Sequence, residues 1–148
     1  MKVEIKTEAF DPLVEQQRYQ ASLDIQGKYG ATAVFIGTMR DFNEGDIVKS
    51  MTLDYYPGMT EKHLQQICNT AAERWSLLDS LVIHRVGAIN IGDPIVLVAV
   101  WSVHRGDAFD ACRFIMEDLK AKAPFWKKEE LEDGERWVKK NTSGYSKI

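Results

Sequence analysis

The sequence predicts a single α+β domain. Three observations carry that reading. Strand-like runs are mixed with two substantial helical stretches along the chain. No internal repeat, low-complexity tract or linker divides it. The length, 148 residues, suits one domain, residues 1–148, and lets such a chain bury roughly 68–70% of its unfolded surface without a metal or disulfide staple.

The elements follow in order. Val3 and Ile5 alternate with charged residues, the period of a short strand. Asp11-Pro12 reads as an N-cap with proline at the first helical position, opening a helix over LVEQQRYQ. Gly27 and Gly30 bracket a turn. ATAVFIG is a buried strand ending at Gly37, TMRDFNEGD a polar loop, and VKSMTLDYY a second alternating strand. Pro57-Gly58 breaks it. Thr60 is expected to cap a helix running through LQQICNTAAERW, with His63 at N3 and hence no capping box. Leu64, Ile67, Cys68, Ala71, Ala72 and Trp75 form its core face. LVIHRV is a strand, GAINIGDP a Gly-rich turn, and residues 95–103 a long β-branched strand. Asp107 is expected to cap the last helix, which stops before Pro124. ELEDGERWV, with Asp-Gly between two short runs, is a hairpin signal.

Composition narrows the function. Apolar residues are 45% and charged residues 28%, and the net charge is −3. That balance argues against a nucleic-acid protein, whose affinity depends on clustered positive charge. The longest apolar run, PIVLVAVW, is too short to span a bilayer. The N-terminus lacks the apolar core of a signal peptide, so a cytoplasmic protein is expected. Cys68 and Cys112 sit in apolar helical patterns and read as inert buried thiols. Without a CxxC pair and with three histidines, no metal site or cofactor is expected.

The stretch FIMEDLKAKAPFWKKEE gathers Lys120, Lys122, Lys127 and Lys128 around one proline and two aromatics. On a helix over residues 107–123, Ala108, Phe109, Cys112, Ile115, Met116, Leu119 and Ala123 share one packed stripe. Lys120 falls at its edge, in line with Arg113 two turns earlier. There it can snorkel to water or be held partly desolvated. Lys127 follows Pro124-Phe125-Trp126, and the helix dipole accounts for a cation or two near such an end. It does not account for the interleaved aromatics. Lys122 and Lys128 read as solvated. His104-Arg105-Gly106-Asp107 lies between a strand and a helix, a common place for anion binding. His84-Arg85 repeats the pair at another strand end, and Arg40 follows Gly37-Thr38-Met39 at a strand exit. There is no Ser-His-Asp, P-loop or GxGxxG pattern. Residue types and spacing thus reach an anion-handling α+β domain.

Together, GTMRDFNEGD, YYPGMTEKHL, VIHRVG followed by GD, SVHRGDAF, and DLKAKAPFWKKE with a tryptophan beyond it resemble the large, catalytic subunit of molybdopterin synthase. The resemblance covers about residues 30 to 137. It implies an α/β hammerhead with an additional β-rich subdomain. It also implies a sulfurtransferase that adds two sulfurs to cyclic pyranopterin monophosphate, giving the dithiolene molybdopterin. Sulfur would arrive as a thiocarboxylate on the C-terminal glycine of a small ubiquitin-like subunit with a Gly-Gly tail. The large subunit would be a dimer with one small subunit at each end, a heterotetramer. The motif match puts Lys120 on the family's catalytic lysine and Lys127 on its partner. Lys120 would polarise the thiocarboxylate and assist proton transfer, and Lys127 would help bind donor tail and substrate. Arg40, His104 and Arg105 would hold phosphate and pterin, since guanidinium forks match phosphate geometry. Phe35 and Met116 would line the apolar part or simply belong to the core.

The chain departs from the family at Thr38, where relatives often place lysine, and at Gly106-Asp107, where small hydroxyl residues are also seen. The tail after about residue 138 matches poorly, which puts in doubt any residue lent across a dimer from there, such as Arg136 or Lys140. The chain ends SGYSKI and not Gly-Gly, so the expected role is acceptor and not sulfur carrier. Two other readings compete. One is a non-catalytic adaptor for a ubiquitin-like tail, in which Lys120 would be dispensable. The other is a nucleotide-phosphate binding domain, which the missing P-loop disfavours.

Overall fold

A computed structural model describes residues 1–43, 46–132, 134–138 and 144 of the chain. Its elements are β1 (Lys2–Lys6), α1 (Pro12–Ser22), β2 (Ala31–Thr38), β3 (Phe42–Asn43), β4 (Asp46–Tyr55), α2 (Met59–Arg74), β5 (Leu77–Arg85), β6 (Gly87–Asn90), β7 (Pro94–Ser102), α3 (Arg105–Lys122), β8 (Phe125–Leu131) and β9 (Gly134–Trp137). The first sheet has the order β1-β5-β7-β2, with β1 and β5 parallel and the other neighbours antiparallel. The second runs β3-β4-β8-β9, and β6 also pairs with β4. The class is α+β. Among the described residues, no helix is long and apolar enough to cross a membrane.

The first sheet is covered on both faces, which explains its unbroken apolar strands. Val82 of β5 and Val96, Val98 and Val100 of β7 pack against α2 and α3 through Leu64, Cys68, Ile115 and Leu119. The alternate residues, Leu81, Ile83, Leu97, Ala99 and Trp101, face Phe10 and the α1 side. Hydrogen bonds hold α1 there: Tyr19 Oη donates to Asp79 Oδ1 at 2.7 Å, and Trp101 Nε1 donates to Gln20 Oε1 at 2.9 Å. The N-cap of α1 is the expected one, with Asp11 Oδ1 accepting from Leu13 N and Val14 N. A third cluster, Met39, Val48, Met51, Leu53, Val86 and Ile89, lies under the second sheet.

Several expectations need correction. Helix α2 starts at Met59 with Gly58 as N-cap, so Thr60 does not cap it. Gly58 takes a φ of 82°, and Glu61, one residue past Thr60, reaches back to accept from Gly58 N at 3.1 Å. Helix α3 starts at Arg105 with His104 as N-cap, three residues before the expected cap, which leaves Asp107 in the first turn as a dipole-compensating carboxylate. Ala72 and Phe109, expected on packed faces, are exposed. The GAINIGDP turn contains strand β6, and the polar loop after Thr38 contains β3 and the start of β4. The hairpin joins β8 to β9, its Asp133 lying outside the described residues, as does Lys140. Lys127 and Lys128 lie on strand β8 and not at the end of the helix.

Thr60 instead ties α2 to the α3–β8 connection. Its side chain is fully buried, accepts from Tyr56 N at 3.0 Å and donates to Pro124 O at 3.0 Å. Thr60→Val keeps the shape and removes both bonds. It should lower the unfolding free energy by about 1–2 kcal/mol in urea titration, because a part-buried N–H and C=O lose their partner. A loss below about 0.5 kcal/mol would mean that these bonds contribute no net stability.

Candidate active site

A cavity of about 680 Å³ opens between β2, α3 and β8. Every residue from Ala33 to Arg40 lines it. A strand that offers one face to a cavity contributes alternate residues. An unbroken run means that the cavity follows the outer edge of β2, the last strand of its sheet. Gly37 belongs to this edge: a Cβ there would stand 2.7 Å from Val96 Cγ1 and 3.3 Å from the Phe35 ring. The absent side chain leaves room for that ring, which is 40% exposed beside the cavity.

Helix α3 supplies the opposite wall. Phe109, Cys112, Arg113, Met116, Glu117 and Lys120 recur at spacings of three and four, one stripe of the helix. Ile115 and Leu119, one position earlier, are buried against the sheet and fix the rotation of that stripe. From β8 come Lys127 and Glu129. Phe125, Lys127 and Glu129 share a face by strand alternation and pair with Tyr55, Leu53 and Met51 of β4. That face turns toward the interior, so Lys127 is half-buried and Glu129 is 4% exposed. Arg136 of β9 holds Glu129, its Nε 2.9 Å from Oε1.

The structure therefore brings Phe35, Arg40, Met116, Lys120 and Lys127 to one cavity. His104 and Arg105 do not line it. They are exposed at the start of α3, and fifteen residues of helix separate Arg105 from Lys120, a rise of roughly 22 Å. Sequence reasoning passed over Glu129, which becomes legible only when Lys127 is placed on a strand and parity carries the face two residues on. Cys112 also touches the cavity, but burial pushes its thiol up to about 11, and Cys68 likewise, so both are inert at neutral pH. Among the described residues, no group of three His, Cys, Asp or Glu side chains is arranged to hold a metal ion.

Lys120 is the perturbed cation of the site. Burial lowers its pKa from the ordinary 10.5 to about 7, and the charge and contact of Lys127 and the charge of Arg40 act in the same direction.

Comparison with known proteins agrees over most of the chain. A family model described as MoaE protein matches residues 6–122. A protein of Ralstonia nicotianae named molybdopterin synthase catalytic subunit is 61% identical over 109 residues, 74% of this chain and 62% of that protein. The Haemophilus influenzae protein of the same name is 47% identical over 143 residues, 97% of this chain and 93% of that one. Among solved structures, the molybdopterin biosynthesis MoaE protein from Burkholderia ambifaria has a TM-score of 0.79 at 45% identity, covering 97% of this chain and 92% of its own. A crystal structure of molybdopterin synthase from Staphylococcus aureus has a TM-score of 0.81 at 36% identity, covering 93% and 98%.

The Lys120 shift has a signed consequence. Its pKa is lower folded than unfolded, so between about 7 and 10.5 the unfolded chain binds more protons at this position. Its contribution to stability therefore rises with pH through that window and is least favourable below it. Lys120→Met keeps an unbranched side chain without the charge. The variant should be more stable than wild type at pH 6 by chemical denaturation, and the gap should close toward pH 10. Equal stability at pH 6 would mean that the ammonium is fully solvated in the folded protein.

Proposed function

The chain belongs to the MoaE protein family, and from that premise we propose that it is the catalytic subunit of a molybdopterin synthase. It moves sulfur from the thiocarboxylated C-terminus of a small ubiquitin-like carrier onto cyclic pyranopterin monophosphate, two sulfurs per dithiolene. One observation carries the reading: a lysine poised near neutrality stands beside other cations in a cavity along an open strand edge.

Each part answers a chemical need. The donor tail is an extended peptide, and a free strand edge offers N–H and C=O groups to such a chain. The tail's end and the substrate phosphate are anionic, so Lys127 and Arg40 bind them, and charge fixed in advance is often the largest catalytic contribution. Lys120, with a pKa close to working pH, polarises the thiocarboxylate and gives or takes the proton that sulfur transfer requires. Phe35 and Met116 supply the apolar wall against the pterin. His104 and Arg105 serve the same substrate only where a second copy brings its α3 N-terminus to the cavity, which favours a dimer with a carrier at each end. A cytoplasmic location goes with this reading.

Single-turnover dithiolene formation tests it, with purified protein, thiocarboxylated carrier and cyclic pyranopterin monophosphate. Lys120→Ala should abolish product while carrier binding stays within about tenfold, 1.4 kcal/mol. Normal turnover by the variant would remove Lys120 from the chemistry. Carrier binding without turnover in wild type as well would leave a tail-binding adaptor.

A further inference from the structure

His84 lies outside the cavity lining and is 3% exposed. It is the penultimate residue of β5 and, by strand parity with Val82, points to the α2 and α3 side of the first sheet. Its ring stacks on Phe125, with 4.0 Å between centroids and 20° between planes. Nδ1 lies 2.8 Å from the carbonyl oxygen of Arg85. A carbonyl only accepts, so Nδ1 carries the proton. Burial pushes the ring's pKa down to about 3, and Lys120 and Lys127 push the same way, so the imidazole stays neutral near the lysines.

Between the lysines the chain is held by Ala123 and Phe125, which pack on the core, and by the pairing of Phe125 with Tyr55 and of Lys127 with Leu53. After Lys122 the helix ends, Phe125 N donates to Ala123 O at 2.9 Å, and Pro124 O accepts from Thr60. Then β8 begins. Phe125 is its first inward-facing residue and Lys127 its second, roughly 6.8 Å further along the strand. The two side chains thus share one face of the strand, two residues apart.

We propose that His84 is a positioning residue of this site: by stacking on Phe125 it fixes the start of β8 and holds Lys127 against Lys120. A phenyl ring at position 84 would stack as well, and the imidazole adds an N–H tether to its own strand. An alkylammonium or guanidinium there would put a further cation behind the pair. The consequence for turnover rests on the sulfur-transfer reading; the structural claim does not.

The test reads Lys120 directly. Lysine is labelled with ¹³C at Cε, and the Lys120 resonance is titrated by NMR in wild type, His84→Ala, His84→Phe and Phe125→Leu. Melting temperature and the pH profile of single turnover are recorded beside it. The charged groups around Lys120 are Lys127 and Glu129 from β8, Arg40 after β2, and Arg113 and Glu117 on α3. None of these is changed by the substitutions. If β8 loosens, the Lys127 charge withdraws, water enters, and Lys120 holds its proton to higher pH. His84→Ala and Phe125→Leu should each raise the Lys120 midpoint by about half a pH unit or more, the corresponding limb of the rate profile moving with it. His84→Phe should stay near wild type. An unmoved midpoint in both His84→Ala and Phe125→Leu, with activity falling only as melting temperature falls, overturns the proposal. So does a full shift in His84→Phe, since that variant keeps the stack. Wild type that titrates as described but forms no dithiolene counts against the sulfur-transfer reading and leaves the positioning claim to the titration.

Discussion

Strand β7 has no solvent face. From Val96 to Ser102 every residue is buried, and its neighbour β5 is buried from Ser80 to Arg85, whereas β2, the last strand of the sheet, is exposed at Val34 and Phe35. Each fully buried valine, leucine or larger side chain stabilises the fold by about 1.5–3 kcal/mol, so covering both faces is the dominant requirement on the chain. Helix α1 meets it on one side, and α2 with α3 on the other. Burying Trp101 leaves an indole N–H that needs an acceptor, and Gln20 of α1 supplies it. Three helices suffice for the faces, and among the described residues no strand pairs with the outer edge of β2. The cavity follows that edge, so the arrangement that fills the core also provides the groove.

The second sheet turns this groove into a site. Pro124 ends α3 and redirects the chain into β8, whose inward face returns Lys127 and Glu129 toward the helix they have just left. Lys120 belongs to the last turn of α3, at the border of a stripe whose neighbours are buried. An ammonium at that border loses water, and a second ammonium on the facing strand adds repulsion. Glu129 does not simply cancel this charge, because Arg136 engages it. The result is a pocket with a local excess of positive charge in a protein whose net charge is −3.

How much of this was legible in the sequence follows from the range of the interactions involved. Helix periodicity is local, so the stripe through Cys112, Met116 and Lys120 and the stop before Pro124 read correctly. Caps read less well: Asp107 and Thr60 are residue types that often cap helices, yet backbone geometry set the starts at His104 and Gly58. Strand β6 was hidden because Gly-rich GAINIGDP resembles a turn until β4 pairs with it. Lys127 was the informative failure. A lysine just after a helix suggests dipole compensation, whereas pairing with Leu53 turns it inward, and that pairing spans more than seventy residues of sequence. The family resemblance placed Lys127 at the site through its motif; local physics alone would have left it in solvent.

Crowded cations also bear on how the site works. Burial and the neighbouring cations favour the neutral form of Lys120. An anion placed beside it reverses the balance, since a negative neighbour favours the charged form. Anion binding and proton uptake at Lys120 are then linked, each strengthening the other by the same factor. A thiocarboxylate tail would thus enter a site where lysine is readily neutral and meet a lysine that becomes protonated as it settles. Loss of that negative charge, as sulfur leaves or product departs, would return the proton. The free energy given up to desolvate Lys120 in the resting protein is what makes its protonation responsive to the occupant.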